Sequence, residues 1–166
     1  MNILFKTDWF TIESVPMPDG QPFFCLKCKD AVVVLAITTD GKIVMVKQYR
    51  PTLNRYTLEL PAGSIEEGES PLTAAKRELY EETGFICNRY TLLYKGLTWQ
   101  SRTNTTFSLY LGLDTQFDHN YKASEDIQVM LIDVTDAKRL FYEGIVDNFI
   151  YYTALKLAEE KCGIRF

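Results

Sequence analysis

The 166-residue sequence has few cysteines, a single histidine and no excess of positive charge. Four cysteines are too sparse for a fold held together by disulfides. Cys25 and Cys28 form a C-x-x-C pair, but the second pair that a structural zinc site normally needs is missing. These absences argue against both a disulfide scaffold and a zinc module.

Basic surface and long apolar segments are also lacking. The chain has 18 Lys and Arg against 22 Asp and Glu, whereas proteins that coat nucleic acid usually carry a basic surface. No stretch approaches the ~20 apolar residues of a membrane span, and the first residues do not resemble a secretory signal. We therefore expect a cytoplasmic protein without a nucleic-acid or membrane partner.

The sequence has enough hydrophobic residues to form a core. Hydrophobic residues make up 46% of the chain, including ten Phe, ten Tyr and two Trp. The length suits one domain spanning residues 1–166. Alternating and β-branched stretches predict strands at residues 8–15, 22–29, 31–37, 43–49, 56–60, 90–95, 105–113 and 127–133. Helices are predicted at residues 70–83, 135–142 and 147–161, which gives an α+β fold with residues 1–30 as an N-terminal strand layer.

The helix at residues 70–83 has clear boundary signals. Ser70 is a plausible N-cap, Pro71 fits the first helical position, and Gly84 is a plausible stop. Leu72, Ala75 and Leu79 recur at helical spacing and predict its buried stripe.

Three glutamates share one side of this helix. Glu78 is followed at i+3 by Glu81 and at i+4 by Glu82, spacings at which like charges repel. Arg77 is expected to point away from the Glu78–Glu82 ridge, so it would neutralise them poorly. A hard divalent cation would compensate better, although a solvated acidic helix face is the alternative.

The segment before the helix adds to this acidic region. Residues 59–82 hold seven glutamates against Lys76 and Arg77. Pro61-Ala62-Gly63 is predicted to be flexible backbone with exposed carbonyl groups. The local charge therefore favours a divalent metal, and a backbone carbonyl could be one of its ligands.

Residues 63–85 resemble the Nudix box, the signature of the Nudix hydrolases. The fixed positions are matched by Gly63, Glu69, Arg77-Glu78-Leu79, Glu81-Glu82 and Gly84-Phe85. Looser similarity to the members that cleave ADP-ribose and nucleoside diphosphate sugars extends over residues 47–51, 59–63, 125–127 and 143–147. The resemblance implies an α/β/α sandwich with a mixed central sheet, to which the N-terminal strand layer would be added.

The resemblance also implies a metal-dependent reaction. It assigns Mg²⁺ or Mn²⁺, two or three ions per site, to Glu78 and Glu82, with Glu81 and the Ala62 carbonyl as further ligands. Arg77 would form an ion pair with Glu69 that orients the loop and the helix. The ions would lower the pKa of a bound water that attacks phosphorus.

Other candidate site residues lie outside the box. The resemblance suggests Glu125 as the general base, so that Glu125, Glu81 and Arg77 form the candidate catalytic set; an ordinary acidic loop is the alternative for Glu125. Arg50 and Glu59 are candidate substrate-binding residues. Arg50 would contact a phosphate or the ribose, or else form a surface ion pair.

A nucleobase could stack on an aromatic side chain. Trp9 is the favoured candidate, since relatives often lend an N-terminal aromatic across a homodimer; Phe10 and Trp99 are others. His119 is expected to be a surface histidine. The small-molecule substrate would then be ADP-ribose or a nucleoside diphosphate sugar, cleaved to a nucleoside monophosphate and a sugar phosphate.

The sequence departs from the pattern of ADP-ribose-specific members in one respect. It has no proline after Pro71, which leaves other nucleoside diphosphate sugars open. The remaining alternatives are a Nudix hydrolase of dinucleoside polyphosphates or capped RNA, and a non-catalytic nucleotide-binding module.

Overall fold

The computed structural model describes residues 1–122 and 126–166, and the strands in that part of the chain form two sheets. The smaller sheet is antiparallel. It consists of β1 (Asn2–Lys6), β2 (Phe10–Pro16) and β3 (Pro22–Cys28), in that order. The predicted N-terminal strand layer is thus present as a separate sheet.

The larger sheet is mixed. Its strands are β4 (Ala31–Thr38), β5 (Lys42–Arg50), β6 (Arg55–Glu59), β7 (Ala62–Ser64), β8 (Phe85–Leu97), β9 (Thr106–Phe117) and β10 (Ile127–Asp133). The order is β10-β5-β4-β9-β8, with β6 beside β5 and β7 beside β4. β4 and β9 run parallel and the other pairs are antiparallel.

β4 lies between two hydrophobic cores and contributes side chains to both. Val32, Val34 and Ala36 pack on the side of α1 (Pro71–Thr83). The alternate residues 33, 35 and 37 pack on the side of α2 (Ala137–Tyr142) and α3 (Phe149–Cys162). Because successive side chains of a strand point to opposite faces, the continuous apolar run predicts a strand buried on both sides, and this is confirmed.

Helices therefore cover both faces of the mixed sheet, which confirms the predicted α/β/α sandwich. A short 3-10 helix (Val134–Asp136) leads into α2. No helix in the described part of the chain is long and apolar enough to cross a membrane.

α1 begins and ends where its signals predict. The Ser70 hydroxyl accepts the Thr73 N–H at 3.1 Å, and Gly84 ends the helix in the left-handed region at φ 71°. The predicted stripe is only partly right: Ala75 and Leu79 are buried, but Leu72 is 38% exposed and Ala74 takes its place in the core.

Three strands differ most from the prediction. The sequence pattern does not predict β1, since its five residues are all exposed and lack alternation. The prediction of flexible backbone around β7 is wrong, because Ala62 and Gly63 pair with Val33 and Val32 of β4. β8 begins directly after Gly84 and is longer than predicted, because its whole length pairs with β9.

Candidate active site

The Glu78 carboxylate lies against the backbone of β7. A Cβ built on Gly63 would come within 2.1 Å of the Glu78 carboxyl carbon. The Glu78 side chain is only 14% exposed. Any side chain at position 63 would therefore displace this carboxylate, which explains why a glycine is needed where φ does not require one.

Glu82, one turn further along α1, is directed at the same strand. Its carboxylate accepts the Ala62 N–H at 3.0 Å. Burial raises the pKa of Glu82 to about 7; the Ala62 hydrogen bond opposes this shift, and the negative charge of Glu78 adds to it. Burial also raises the pKa of Glu78, although Arg77 partly offsets it. Burial is thus the main cause of the raised pKa in both carboxylates.

Arg77 joins the loop, the helix and β7. Its guanidinium donates twice to Glu69, at 3.0 and 2.9 Å, and once to the Ser64 carbonyl at 2.9 Å. It also donates to Glu78 at 2.8 Å and to Glu81 at 3.1 Å. The expected Glu69 ion pair is present and lowers the pKa of Glu69.

The expectation that Arg77 points away from the glutamate ridge is wrong. Helical spacing fixes where a side chain starts, but the long arginine stem reaches back over its own helix to the acceptors. Its hydrogen bonds to Glu69, Glu78 and Glu81 raise the pKa of Arg77, so it is charged throughout the accessible pH range.

Arg50 and Glu59 form a second polar unit on the same face of the sheet. Arg50 donates from Nε and Nη2 to the two Glu59 oxygens, at 2.8 and 2.5 Å, and Thr57 also donates to Glu59. Burial alone would raise the pKa of Glu59, but the hydrogen bonds from Arg50 and Thr57 outweigh it and lower that pKa.

This pairing bears on the two interpretations of Arg50. Arg50 forms an ion pair with Glu59, as the second interpretation proposed. It also lies close enough to Glu82 to lower the pKa of Glu82. The bond to Glu59 leaves the Nη1 end of the guanidinium out of this pair, so the same side chain can hold a second anion.

The two helical carboxylates fit a hard divalent cation. In the described residues no three His, Cys, Asp or Glu side chains converge into a ready-made cage. Mg²⁺ does not require one, since it is usually held by one or two carboxylates together with water and substrate phosphate. Burial disfavours the charged form of Glu78 and Glu82, and a bound cation would favour it.

The remaining candidate site residues do not all lie beside Glu78 and Glu82. Glu81 contacts Arg77 but is 57% exposed. Trp9 and Trp99 are 81% and 56% exposed, and Phe10 packs on Phe5 with ring centroids 6.0 Å apart. Glu125, the predicted general base, lies outside the described residues.

Three further residues lie away from this site. His119 is exposed, with its ring against Phe117, as expected of a surface histidine. The thiols of Cys25 and Cys28 are free and half-buried in β3. The described residues around them offer no third ligand of the kind a zinc site needs.

Two contacts at the site carry no signal in the sequence. The Ser64 carbonyl is an acceptor for Arg77, and the Tyr121 hydroxyl donates to the Glu81 carbonyl at 2.9 Å. A backbone acceptor is independent of residue type. Tyr121 is 40 residues from Glu81 along the chain, so no local pattern connects the two.

A family model described as the NUDIX domain matches residues 28–146, which is most of the chain. The chain belongs to the Nudix family. The matched range extends from the end of β3 to the loop before α3 and includes the whole glutamate-bearing helix. The resemblance inferred from residues 63–85 is therefore confirmed.

Two curated relatives match most of the chain. The Nudix chain is 34% identical over 157 residues to an ADP-ribose pyrophosphatase of Bacillus subtilis, covering 89% of this chain and 85% of the relative. It is 37% identical over 134 residues to a methanol dehydrogenase activator of Bacillus methanolicus, covering 79% and 72%.

A solved structure described as an ADP compounds hydrolase has the same fold. Its TM-score is 0.79 at 23% identity, and the match covers 96% of this Nudix chain and 89% of the other. A match over 96% of the chain extends beyond the sandwich into the N-terminal sheet.

Proposed function

We propose that this Nudix hydrolase cleaves the pyrophosphate bond of a nucleoside diphosphate linked to a sugar, with ADP-ribose as the first candidate, and releases a nucleoside monophosphate and a sugar phosphate. The observation that carries the proposal is the pair of half-buried carboxylates, Glu78 and Glu82, held against β7 beside Arg50. The Bacillus subtilis relative, named an ADP-ribose pyrophosphatase, supports the substrate class.

Mg²⁺ or Mn²⁺, two or three ions per site, would be held by Glu78 and Glu82, with Glu81 and the Ala62 carbonyl as further ligands. In an extended strand the N–H and C=O of one residue point to the same side. Since the Ala62 N–H is directed at Glu82, its carbonyl faces that side of β7 too. When bound, the ions supply charge neutralisation at the phosphates and a water of lowered pKa.

The protein's own residues prepare the substrate for this chemistry. Arg50 binds a phosphate of the substrate through the side of its guanidinium that Glu59 leaves free, and Glu59 holds Arg50 in place. Arg77 fixes Glu78 and Glu81 relative to the loop through Glu69 and the Ser64 carbonyl. Glu125 is the general base that takes the proton of the attacking water.

The N-terminal sheet forms a homodimer contact and supplies Trp9 for stacking on the nucleobase. Ile3, Phe5, Trp9 and Phe24 of this sheet and its first turn are 49–81% exposed, an unusual apolar surface for a monomer. Light scattering tests the dimer. If the wild type is a monomer and Trp9→Ala keeps full activity, both roles are ruled out.

Residues 1–166 act as one domain. α3 lies beyond the range matched by the family model, yet Ala154 and Leu155 are in the same core as β4. The Leu26 N–H of β3 donates to the Arg102 carbonyl at 2.8 Å, which ties the N-terminal sheet to the β8–β9 loop. The four free thiols fit the reducing cytoplasm, where we place the protein.

A substrate panel tests the proposal. The protein is incubated with Mg²⁺ and ADP-ribose, ADP- and GDP-sugars, a dinucleoside polyphosphate or capped RNA. We expect nucleoside monophosphate from the sugar diphosphates. Turnover of the dinucleotide or the RNA alone would assign another substrate class, and binding without any turnover would indicate a non-catalytic module.

A further inference from the structure

The last turn of α1 has an unfavourable charge distribution. It carries Glu81 and Glu82 at the end of the helix where the backbone dipole disfavours negative charge. No basic side chain occupies this turn of α1, all of whose residues are described. The Gly84 N–H donates to the Tyr80 carbonyl at 2.8 Å, so the Glu81 carbonyl is the next one that needs a donor from another segment.

Tyr121 supplies this donor. Its hydroxyl donates to the Glu81 carbonyl at 2.9 Å. Its ring lies on Gly84, where a Cβ would come within 2.4 Å of the Tyr121 Cγ. Gly84 thus serves two purposes: it adopts the left-handed conformation that ends the helix, and it leaves room for the ring.

The segment that carries Tyr121 is bonded to the same helix end. The Asp118 N–H donates to the Gly84 carbonyl at 2.9 Å, and the Tyr80 hydroxyl donates to the Asp118 carboxylate at 3.1 Å. The Tyr121 N–H donates to the Asp118 carbonyl at 3.0 Å. The rings of Tyr80 and Tyr121 meet edge to face with centroids 5.7 Å apart. We call these four residues, Tyr80, Gly84, Asp118 and Tyr121, the clasp.

We propose that Tyr121 is a positioning residue: through the clasp it fixes the last turn of α1 and so keeps the Glu82 carboxylate directed at β7. The inference rests on the proposed function, in which Glu81 and Glu82 bind metal. The Glu82 carboxylate depends on the helix end for its 3.0 Å contact with the Ala62 N–H. Fraying of that end would move Glu82 away from β7 while Glu78, a turn earlier, stays in place.

The test is Tyr121→Phe, which removes the hydroxyl and keeps the ring. The matched control is Tyr142→Phe, which removes a hydroxyl bonded to Tyr152 at 2.9 Å between the helices on the opposite face of the sheet. Two measurements need no substrate: amide hydrogen exchange of residues 80–85, and Mn²⁺ affinity by electron paramagnetic resonance.

For Tyr121→Phe we expect about fivefold faster exchange in residues 80–85 and about fivefold weaker Mn²⁺ binding, the effect of losing one hydrogen bond to the backbone. Exchange in α3 stays at the wild-type rate, and Tyr142→Phe matches the wild type in both measurements. In turnover, kcat falls and KM changes little.

Unchanged Mn²⁺ affinity in Tyr121→Phe, with the wild type binding Mn²⁺ normally, would overturn the inference and leave the proposed function intact. Exchange that rises equally in α1 and α3 would also overturn it, since Tyr121 would then support only global stability. A wild-type protein that does not bind Mn²⁺ would overturn the metal assignment in the proposed function, and this inference with it.

Discussion

The Glu78 carboxylate fills the space that a side chain at Gly63 would need: its carboxyl carbon lies 2.1 Å from the point where a Cβ of residue 63 would be. The two residues are fifteen positions apart, one on α1 and the other on β7. The helix can place its carboxylate on the strand only because the strand has no side chain there. The first glycine of the box is thus needed for close approach.

We expect Gly63→Ala to lower kcat about a hundredfold while the protein stays folded, because the new methyl group pushes the Glu78 carboxylate off β7 by an ångström or more. Steady-state kinetics measures this. Ser64→Ala, at the next position of β7, adds no atom and is the control. A Gly63→Ala enzyme as fast as the wild type would mean that the Glu78 position is not critical.

We expect Glu82→Gln to stabilise the metal-free protein above neutral pH. Burial raises the pKa of Glu82 from 4.5 to about 7, so folding is penalised once this group is charged. The stabilisation is of order 2 kcal/mol above about pH 7. It shrinks as the pH falls and vanishes below the unfolded pKa, where the carboxyl is protonated in both states.

Thermal unfolding in the presence of a chelator, at about pH 8 and about pH 4, measures this difference. Added Mg²⁺ should stabilise the wild type and have little effect on Glu82→Gln. A variant less stable than the wild type at the higher pH would show that the charged carboxylate is well compensated without metal.

We expect Arg77→Lys to lower kcat/KM about tenfold, since one ammonium group cannot serve Glu69, Glu78, Glu81 and the Ser64 carbonyl together. Lys76→Met is the matched control, because Lys76 lies over the Tyr90 ring away from this network. If Arg77→Lys had the same kcat/KM as the wild type, the planar guanidinium of Arg77 would not be needed to hold these acceptors.

We expect Arg50→Lys to raise KM about tenfold, because lysine cannot bind Glu59 bidentately and a phosphate at the same time. Arg55→Lys is the control. Arg55 lies opposite Arg50 in the β5–β6 register but pairs with Asp147. If the two variants had the same KM, Arg50 would be a surface ion pair and nothing more.

We expect Glu125→Gln to lower kcat at least about tenfold with little change in KM, as loss of a general base should. Asp126→Asn at the neighbouring position is the comparison. An unchanged kcat in Glu125→Gln would transfer the role of base to the glutamates of α1.

Local sequence patterns predict the helix and its carboxylates well. Ser70, Pro71 and Gly84 act through contacts within a few residues, so their positions alone locate the ends of α1. The spacing of Glu78 and Glu82 follows from helix geometry in the same way. The sequence pattern therefore favours a divalent metal over a solvated acidic helix face, and the Nudix resemblance assigns its ligands.

Contacts between distant segments cannot be read from such patterns. The short strand Ala62–Ser64 exists because β4 offers it a partner, and the path of Arg77 depends on the Ser64 carbonyl of that strand. The bond between Arg50 and Glu59 depends on the β5–β6 pairing, and the contact of Tyr121 with Gly84 depends on a fold that brings residue 121 to the end of α1.

Phosphorus NMR of ADP-ribose incubated with the protein and Mg²⁺ tests the central proposal most directly. We expect the two pyrophosphate resonances to be replaced by two monoester resonances, those of AMP and ribose phosphate. A chelator should stop the reaction, and Glu82→Gln should slow it at least about a hundredfold. Pyrophosphate resonances that persist in the presence of folded, metal-bound protein, for ADP-ribose and for the nucleoside diphosphate sugars alike, would contradict it.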